Sequence, residues 1–558
     1  MLLSKEQWMK RLAIVLLLWA PYAASLERPN ILLLMAEDMS ARVGAFGDPV
    51  AVTPTLDRLA DEGVRYPNTF TTAGVCAPSR AAHIMGVHQN RFGGQHMRAS
   101  SSHWPLKYQV VPPPEMKAYP ELLRRAGYYT FVTQKLDYQV SGTSLGSGPF
   151  SVWDDQTWAQ FPWQEAPDGV PFYGFMTFME THESGMFPRW VWPNSIPHLV
   201  MQGMHIYLNW GVDDVVAPQD VAVPPYLPDT GPVRRDIARH YNNIYTMDRR
   251  VGEVLARLEA DGLADDTIVI WTTDHGDGLP RAKRELFDSG IKVPLIIRWP
   301  EKYRPADVAA GSVDERLVSF VDIAPTLLNL AGVEAPAYLE GSVFAGTMPS
   351  APRQYIFAAR DRLDDQIDRQ RSVRDQRYKY ILNYYPGTPG AAHLDFRDNL
   401  GSMAELWALH DAGELNAAQA RWFEPRPPEE LYDTQADPDE LVNLAQRLDH
   451  ARVLQRLRAA LQDWQRRGPD LGALPEEEMV RRFWPELEQP QTATPQMSRD
   501  KQGRVDVRVQ TVGASVGLRV GDGPWRLYTG PVKTAPGEQV TAKAVRYGWL
   551  ESEEAVLR

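Results

Sequence analysis

The segment from Asn30 to Met35 is apolar almost throughout, Ile31-Leu32-Leu33-Leu34-Met35, and then stops at Glu37-Asp38. An apolar run without polar alternation predicts a strand buried on both faces, as in a parallel sheet. The same design recurs in FYGFMTFM, ending at Glu180-Thr181-His182, and in Thr267 to Trp271, ending at Thr273-Asp274-His275. A fourth strand-like stretch, YYTFVTQ, leads up to Lys135. Between these runs the period changes. Thr55 to Gly63 reads as an amphipathic helix with a glycine stop, Tyr119 to Ala126 as a second helix, and Arg235 to Ala260 as a long third one. Alternating strands and helices predict an α/β fold on a large, mainly parallel sheet flanked by helices, with its main domain over 26–350. From 351 to 480 strands and a final helix, interrupted by stretches such as EPRPPEE, predict a smaller C-terminal α+β subdomain. After the polar stretch QPQTATPQMSRDKQG, residues 504–558 read as short alternating strands with Gly-rich turns, a small β-sandwich-like module.

The polar residues after these strands carry the chemistry. Glu37-Asp38, Lys135, His182 and Asp274-His275 all follow the carboxyl ends of predicted strands, the edge along which open α/β sheets bind ligands. Each alone has a plain structural reading, as a helix cap or a satisfied histidine. Four strand ends converging on one edge favour a site. Glu37, Asp38 and Asp274 are hard oxygen donors suited to Ca²⁺ or Mg²⁺, with His275 as a weaker ligand or hydrogen-bond partner. Arg80, Lys135, His182 and Lys283 can face the same site and neutralise a tetrahedral oxyanion.

Composition excludes some classes. The formal charge of −12 is spread without blocks, so a nucleic-acid footprint is not expected. The first 25 residues combine Lys5, Lys10 and Arg11 with an apolar run and then Ala23-Ala24-Ser25. That is the order of a secretory signal peptide, so export to a secreted or periplasmic location is expected, without stable membrane insertion. Only one cysteine, Cys76, occurs in 558 residues. In an oxidising compartment an unpaired thiol is either a buried small hydrophobe or a chemical group. Pro78 fits a first helical turn, which sets Cys76 at a helix N-terminus where an anion is favoured.

The segment Cys76-Ala77-Pro78-Ser79-Arg80 resembles the C-x-P-S-R signature of type I sulfatases, members of the alkaline phosphatase superfamily. Further landmarks follow in family order over roughly residues 28 to 450: RPNILLLMAED, TPTLDRLADEGVRY, SRAAHIMG, TTDHG, LFDSGIKVPLIIRWP, RSVRDQRYKYI and ELYDTQADPDELVNLA. The resemblance implies hydrolysis of sulfate esters or N-sulfates of a carbohydrate. It implies that a formylglycine-generating enzyme converts Cys76 to an aldehyde, whose hydrate attacks sulfur and later expels sulfate. Glu37, Asp38, Asp274 and His275, with residue 76, match the positions that hold one Ca²⁺ ion, Mg²⁺ being the alternative. Asp274 matches the base, Arg80 and Lys135 the groups on the nucleophile and sulfate, His182 the proton donor to the leaving oxygen, and Lys283 the lysine beside it.

Two positions depart from the family pattern. Glu37 stands where many members have Asp, and Asp137 stands where many have a histidine two residues after the lysine. Asp137 is therefore expected either to bind a substrate amine or hydroxyl or to orient Lys135. His96 is the candidate replacement for the missing cation, against a plain surface histidine; His88 lies nearby. Residues 187 to 226 (FPRWVWPN, HIYLNWG) lack clear periodicity, and their aromatics suit either stacking on sugar rings or packing a loop. GASVGLRV followed by PWRLYTGPV looks like the β-sandwich appendages of chitobiase-type glycosidases, as a cap or a carbohydrate contact. A phosphodiesterase or phosphonate monoester hydrolase of the same superfamily, and an inactive glycan-binding homologue, are the rival readings.

Overall fold

The computed structural model describes residues 28–97, 99, 107–188, 196–364 and 366–558. The expected signal peptide and most of FPRWVWPN lie outside the described residues. Among the described residues, no helix is long and apolar enough to cross a membrane.

The main sheet has eight strands: β1 (Asn30–Ala36), β2 (Val64–Arg65), β3 (Tyr129–Thr133), β4 (Asp155–Thr157), β5 (Phe172–Phe178), β6 (Thr267–Thr273), β7 (Leu295–Arg298) and β8 (Ser312–Val313). Their order is β8-β2-β7-β6-β1-β5-β3-β4. The five strands from β6 to β4 are mutually parallel, and β7 runs antiparallel to both its neighbours. The expected mainly parallel sheet is present, and the apolar runs explain its centre. Ile31, Leu33 and Met35 enter one core cluster, whereas Leu32, Leu34 and Ala36 enter the cluster on the opposite face. Register then fixes the site's level: Ala36 pairs with Phe178 of β5 and with Thr273 of β6, so the polar residues after each strand emerge side by side.

Helices cover both faces. The principal ones here are α1 (Pro54–Glu62), α2 (Cys76–Met85), α3 (Tyr119–Arg125), α4 (Ile196–Leu208), α5 (Gly231–Ala260), α6 (Ala451–Arg466) and α7 (Glu476–Phe483). Within α5, Val233, Ile237, Ile244, Met247, Val251, Val254 and Leu258 recur at helical spacing and are buried against the sheet. Asp248 of α5 accepts the backbone N–H groups of Thr55 and Leu56 at 3.0 and 2.8 Å, serving α1 as a distant cap. Helix α4 occupies part of the stretch in which no periodicity was legible.

A four-stranded antiparallel sheet, β9 (Ile356–Arg360), β10 (Gln370–Arg374), β11 (Tyr378–Asn383) and β12 (Glu429–Asp433), forms the C-terminal subdomain. Leu454, Leu457, Leu461 and Trp464 of α6 pack on it, with Trp464 stacked 5.1 Å from Phe357. Two small sheets follow and share a core of Val505, Val507, Val516, Leu518, Val540 and Ala542. The module starts earlier than residue 504. Gln496–Arg499 is its first strand and Leu550 N donates to Pro490 O, so the polar stretch belongs to the module instead of connecting to it.

Glu121 of α3 anchors the module. Its buried carboxylate accepts from Ser515 Oγ at 2.6 Å, Tyr547 Oη at 2.7 Å, Ser151 Oγ at 2.6 Å and Arg125 Nη2 at 2.8 Å. Burial alone would raise this carboxyl, but Lys117 and Arg125 offset it and hold it down at about 2, from an unfolded value of 4.5. A depressed folded value means its stabilisation is present above pH 4.5 and fades as pH falls towards 2. Glu121→Ala is expected to cost about 3–5 kcal/mol by urea denaturation, since it strands buried partners. It is also expected to flatten the acid limb of wild-type stability between those pH values. Equal midpoints for variant and wild type at pH 7 would show that the module is anchored elsewhere.

Candidate active site

Helix α2 begins at Cys76 after an extended Val75, and all ten of its residues are buried. Cys76 and Arg80 stand four residues apart and so share one face. The turn before the helix is tight: a Cβ on Gly74 would come within 2.2 Å of Glu285 O. Gly276 is similarly confined, its notional Cβ lying 1.9 Å from Ser289 O. The first approach lets the loop after β6 lie against the start of α2, and the second lets that loop fold closely on itself.

The geometry collects the strand-end residues around Cys76. Its Sγ lies 3.4 Å from His275 Nε2 and 3.8 Å from Asp38 Oδ1. Ligand atoms of Asp38, Cys76, Asp274 and His275 all lie within 4.8 Å of one another, as do those of Glu37, Asp38, Cys76 and His182. Asp38 adopts a left-handed backbone, φ 47°, a conformation that Asp tolerates better than most residues. Its own N–H donates to Asp274 Oδ1 at 3.0 Å, and its carboxylate accepts the N–H of Glu183 at 2.7 Å.

Cations close the ring. Arg80 donates from Nη2 to Glu37 Oε1, from Nε to Asp274 Oδ2 at 3.2 Å, and from Nη1 to Thr177 Oγ1 at 3.3 Å. Lys135 Nζ donates to Glu37 Oε2 and stands 3.8 Å from Asp137 Oδ2. Lys283 joins Asp38 to Glu183, the latter at 2.9 Å, and Arg284 pairs with Glu183 through both terminal nitrogens at 2.8 and 2.9 Å. Burial works against every one of these charges, and for Glu37, Asp38, Arg80, Lys135 and Lys283 the opposite charges decide the direction. Arg80 and Lys135 pull Glu37 well below the usual carboxylate range, and Lys283 does so for Asp38. Asp274 moves upward, because burial and the Glu37 charge outweigh its cationic neighbours.

The two imidazoles are oriented differently. His275 Nδ1 donates to Gly276 O at 2.9 Å, and its Nε2 faces Asp38 Oδ1 at 3.0 Å, where the charges of Asp274 and Asp38 outweigh burial and raise the imidazole. His182 Nδ1 accepts from the N–H of Ser184 and lies 2.7 Å from Ser184 Oγ, so Nε2 carries the proton. Burial, with Lys283 and Lys135 nearby, holds His182 neutral, well below the usual imidazole value. Ser184 Oγ in turn lies 2.8 Å from His205 Nε2, and the two imidazoles stack at 6.3 Å.

The donor set suits a hard divalent cation: carboxylate oxygens of Asp38 and Asp274, plus an imidazole whose second nitrogen is fixed by a backbone carbonyl. Glu37 lies in the group with Asp38, Cys76 and His182, and, like the oxygens of Asp38 and Asp274, its two oxygens also meet cations, Arg80 and Lys135. Its longer side chain reaches both cations. Asp137 lies beside Lys135, in the position of an orienting group. His96 supplies no cation. It is 6% exposed, accepts from the N–H of Arg362 at 3.3 Å, and is pushed down to about 4, chiefly by burial. Nor is it a surface histidine; His88, buried against Glu340 at 2.6 Å, is not one either. Glu183, Ser184, Arg284 and His205 escaped sequence reasoning. Glu183 and Arg284 each directly follow an expected residue, His182 and Lys283, and only the folded chain pairs them with each other.

Arg80→Ala leaves Glu37 and Asp274 facing each other in a buried site. It is expected to lower the unfolding free energy by about 3–5 kcal/mol. Urea denaturation followed by tryptophan fluorescence tests this, and a loss under about 1 kcal/mol would mean that other groups hold the strand ends together.

Comparison with known proteins follows this geometry. The sulfatase family model matches residues 29–333, and the model described as N-sulphoglucosamine sulphohydrolase, C-terminal, matches 281–418. The chain is 39% identical over 553 residues to an ulvan-active sulfatase of Formosa agariphila, covering 94% of this chain and 91% of that one. It is 27% identical to N-sulphoglucosamine sulphohydrolase of Homo sapiens, over 78% and 89% of the two chains. Among solved structures, a 2-O GAG sulfatase superposes with TM-score 0.55 at 21% identity, over 79% of this chain and 93% of that one. Phosphonate monoester hydrolase of Agrobacterium radiobacter superposes with TM-score 0.53 at 19% identity, over 80% and 97%. These last two likenesses establish the fold alone.

Proposed function

This chain belongs to the sulfatase family, and we propose that it cleaves sulfate esters of an ulvan-type polysaccharide through a formylglycine made from Cys76 beside one Ca²⁺ ion. It is a sulfuric ester hydrolase acting on carbohydrate sulfates. The observation that carries the finer reading is the buried tetrad of Asp38, Cys76, Asp274 and His275 at the N-terminus of α2. A thiol with no disulfide partner has no structural need of two carboxylates and an imidazole around it. The ulvan assignment rests on likeness to the Formosa protein, and export on the N-terminal sequence pattern.

Each side chain has a task consistent with its placement. Asp274, a carboxylate oxygen of which lies within 4.8 Å of Cys76 Sγ, takes the proton at position 76. Arg80 and Lys135 hold positive charge beside position 76 and the incoming sulfate, and Glu37 keeps both in place. His182, neutral with its proton on Nε2, gives that proton to the leaving sugar oxygen. Lys283, held between Asp38 and Glu183, stabilises the same oxygen's negative charge. Asp38, Asp274 and His275 would hold the Ca²⁺ ion, which supplies Lewis-acid polarisation of the sulfate oxygens.

Protein coproduced with a formylglycine-generating enzyme should yield the tryptic peptide Tyr66–Arg80 with an aldehyde at position 76, read by mass spectrometry. It should release sulfate from ulvan and from aryl sulfates far faster than phosphate from matched aryl phosphates. Chelation should abolish turnover, and Ca²⁺ should restore it. An intact thiol in fully active enzyme would overturn the formylglycine assignment. His182→Ala should lower kcat on ulvan by about 10²–10⁴-fold, as expected for a lost general acid. The loss should be much smaller on 4-nitrophenyl sulfate, whose leaving group departs without a proton. Equal losses on both substrates would remove His182 from that role.

A further inference from the structure

A cavity of about 220 Å³ lies beside the strand ends that lead to Lys135 and His182. Gln134, Trp158, Gln160, Glu180 and Tyr207 line it, with Arg250 and Glu253 contributed by α5. Gln134 immediately precedes Lys135, and Glu180 stands two residues before His182. Thr177, which accepts from Arg80 in the catalytic ring, also lines it. The cavity is therefore a near neighbour of the site and does not contain it.

Its lining is unusual for an ordinary surface. Trp158, just after β4, is 71% exposed, and Tyr207, in the last turn of α4, is 77% exposed. Neither ring contributes to a core cluster. Glu180 is the converse case: 3% exposed, with its Oε2 lacking a hydrogen-bond partner among the described residues. A buried acceptor left unmatched is costly, and a donor from a ligand would satisfy it. Two exposed aromatic faces beside an unmatched carboxylate oxygen suit a molecule with an apolar face and hydroxyl donors at its rim. The volume lies below the range of about 300–1,000 Å³ that encloses drug-sized ligands, and suits a single ring.

Charge narrows the ligand further. Arg250, the lining cation, pairs with Glu253 at 3.0 Å, and Gln160 Nε2 donates to the same carboxylate at 3.2 Å. A sulfate or carboxylate entering the cavity would thus meet an already neutralised arginine beside the Glu180 carboxyl, which burial pushes up to about 7. This is the opposite of the catalytic ring, where cations surround the expected sulfate.

We propose that this cavity is a sugar-binding subsite that seats an anion-free ring of the polysaccharide, stacked on Trp158 or Tyr207 and donating a hydroxyl to Glu180 Oε2. The proposal rests on the carbohydrate sulfatase reading, because a second ring is useful only if the substrate is a chain. The subsite would hold the polymer while a sulfated ring occupies the catalytic ring, so its loss should act on KM and spare kcat.

Ulvan oligosaccharides, native and chemically desulfated, are the probes. Trp158→Ala/Tyr207→Ala alters two exposed side chains and should fold normally. By calorimetric titration the wild type should bind desulfated oligosaccharides, and the double variant should bind them at least tenfold more weakly. Glu180→Gln, which keeps the shape and swaps an acceptor oxygen for a donor amide, should weaken binding in the same assay. On 4-nitrophenyl sulfate the double variant should keep the wild-type kcat/KM. Equal binding by wild type and double variant, or no binding by either, overturns the subsite. Binding needs no turnover, so a failure of the catalytic reading would appear separately, as absent sulfate release from both substrates by formylglycine-containing wild type.

Discussion

The Arg80 guanidinium is the constraint on which the site depends. It bridges Glu37 after β1 and Asp274 after β6, and so ties helix α2 to two neighbouring strand ends in a region without solvent. Neither carboxylate would be tolerable there alone, because a buried charge without a partner costs several kcal/mol. With Arg80 fixed, Cys76 one helical turn earlier has only one direction to face. The five-residue signature is thus a geometric device: i and i+4 place the reactive residue and its counter-charge on one face, and proline in the first turn starts the helix where the reactive residue needs it.

The loop after β6 transmits this order to the C-terminal subdomain. Successive residues of Lys283-Arg284-Glu285 go to three places. Lys283 reaches Asp38, Arg284 reaches Glu183, and Glu285 pairs with Arg360 at the end of β9 while accepting from Trp422 Nε1 at 3.2 Å. Further along, Asp288 is held by Arg374 and Lys379 of β10 and β11. The antiparallel sheet therefore supports the back of the loop whose front carries Lys283, although it contributes none of the residues around Cys76. A subdomain in that position sets how rigidly the lysine is held, and such rigidity is what electrostatic stabilisation requires.

Much of this was legible in the chain. The apolar runs of β1, β5 and β6 and the charges that follow them specify both the sheet and the edge on which the site stands, because a strand buried on two faces leaves few alternatives. The five-residue signature and the landmarks around it led to the family. Pairing was illegible. That Glu37 would turn to the cations and that Glu183 would receive both Lys283 and Arg284 depend on side-chain reach across strands, which no linear spacing encodes. Helix α4 was missed because its apolar residues are not confined to one stripe, Leu199, Val200 and Tyr207 all being exposed. His96 was misjudged in both readings because burial against Arg362 and Glu476 comes from sequence positions more than 250 residues away.

Charge offers a physical account of why such a ring favours sulfate. Glu37, Asp38, Glu183 and Asp274 oppose Arg80, Lys135, Lys283 and Arg284, so the protein's own formal charges in the ring balance. Asp137, 3.8 Å from Lys135, tilts the balance towards negative. A sulfate monoester brings one negative charge, whereas a phosphate monoester brings between about 1.5 and 2 at neutral pH. The Ca²⁺ ion proposed for the site would bring the sum to +1, which one sulfate monoester neutralises and a phosphate monoester overshoots. In a buried ring of low effective dielectric the uncompensated remainder costs more than it would in water. The penalty thus falls on the phosphate ester, even though the two tetrahedral groups are nearly the same size. Selectivity of this kind needs no pocket shaped around sulfur.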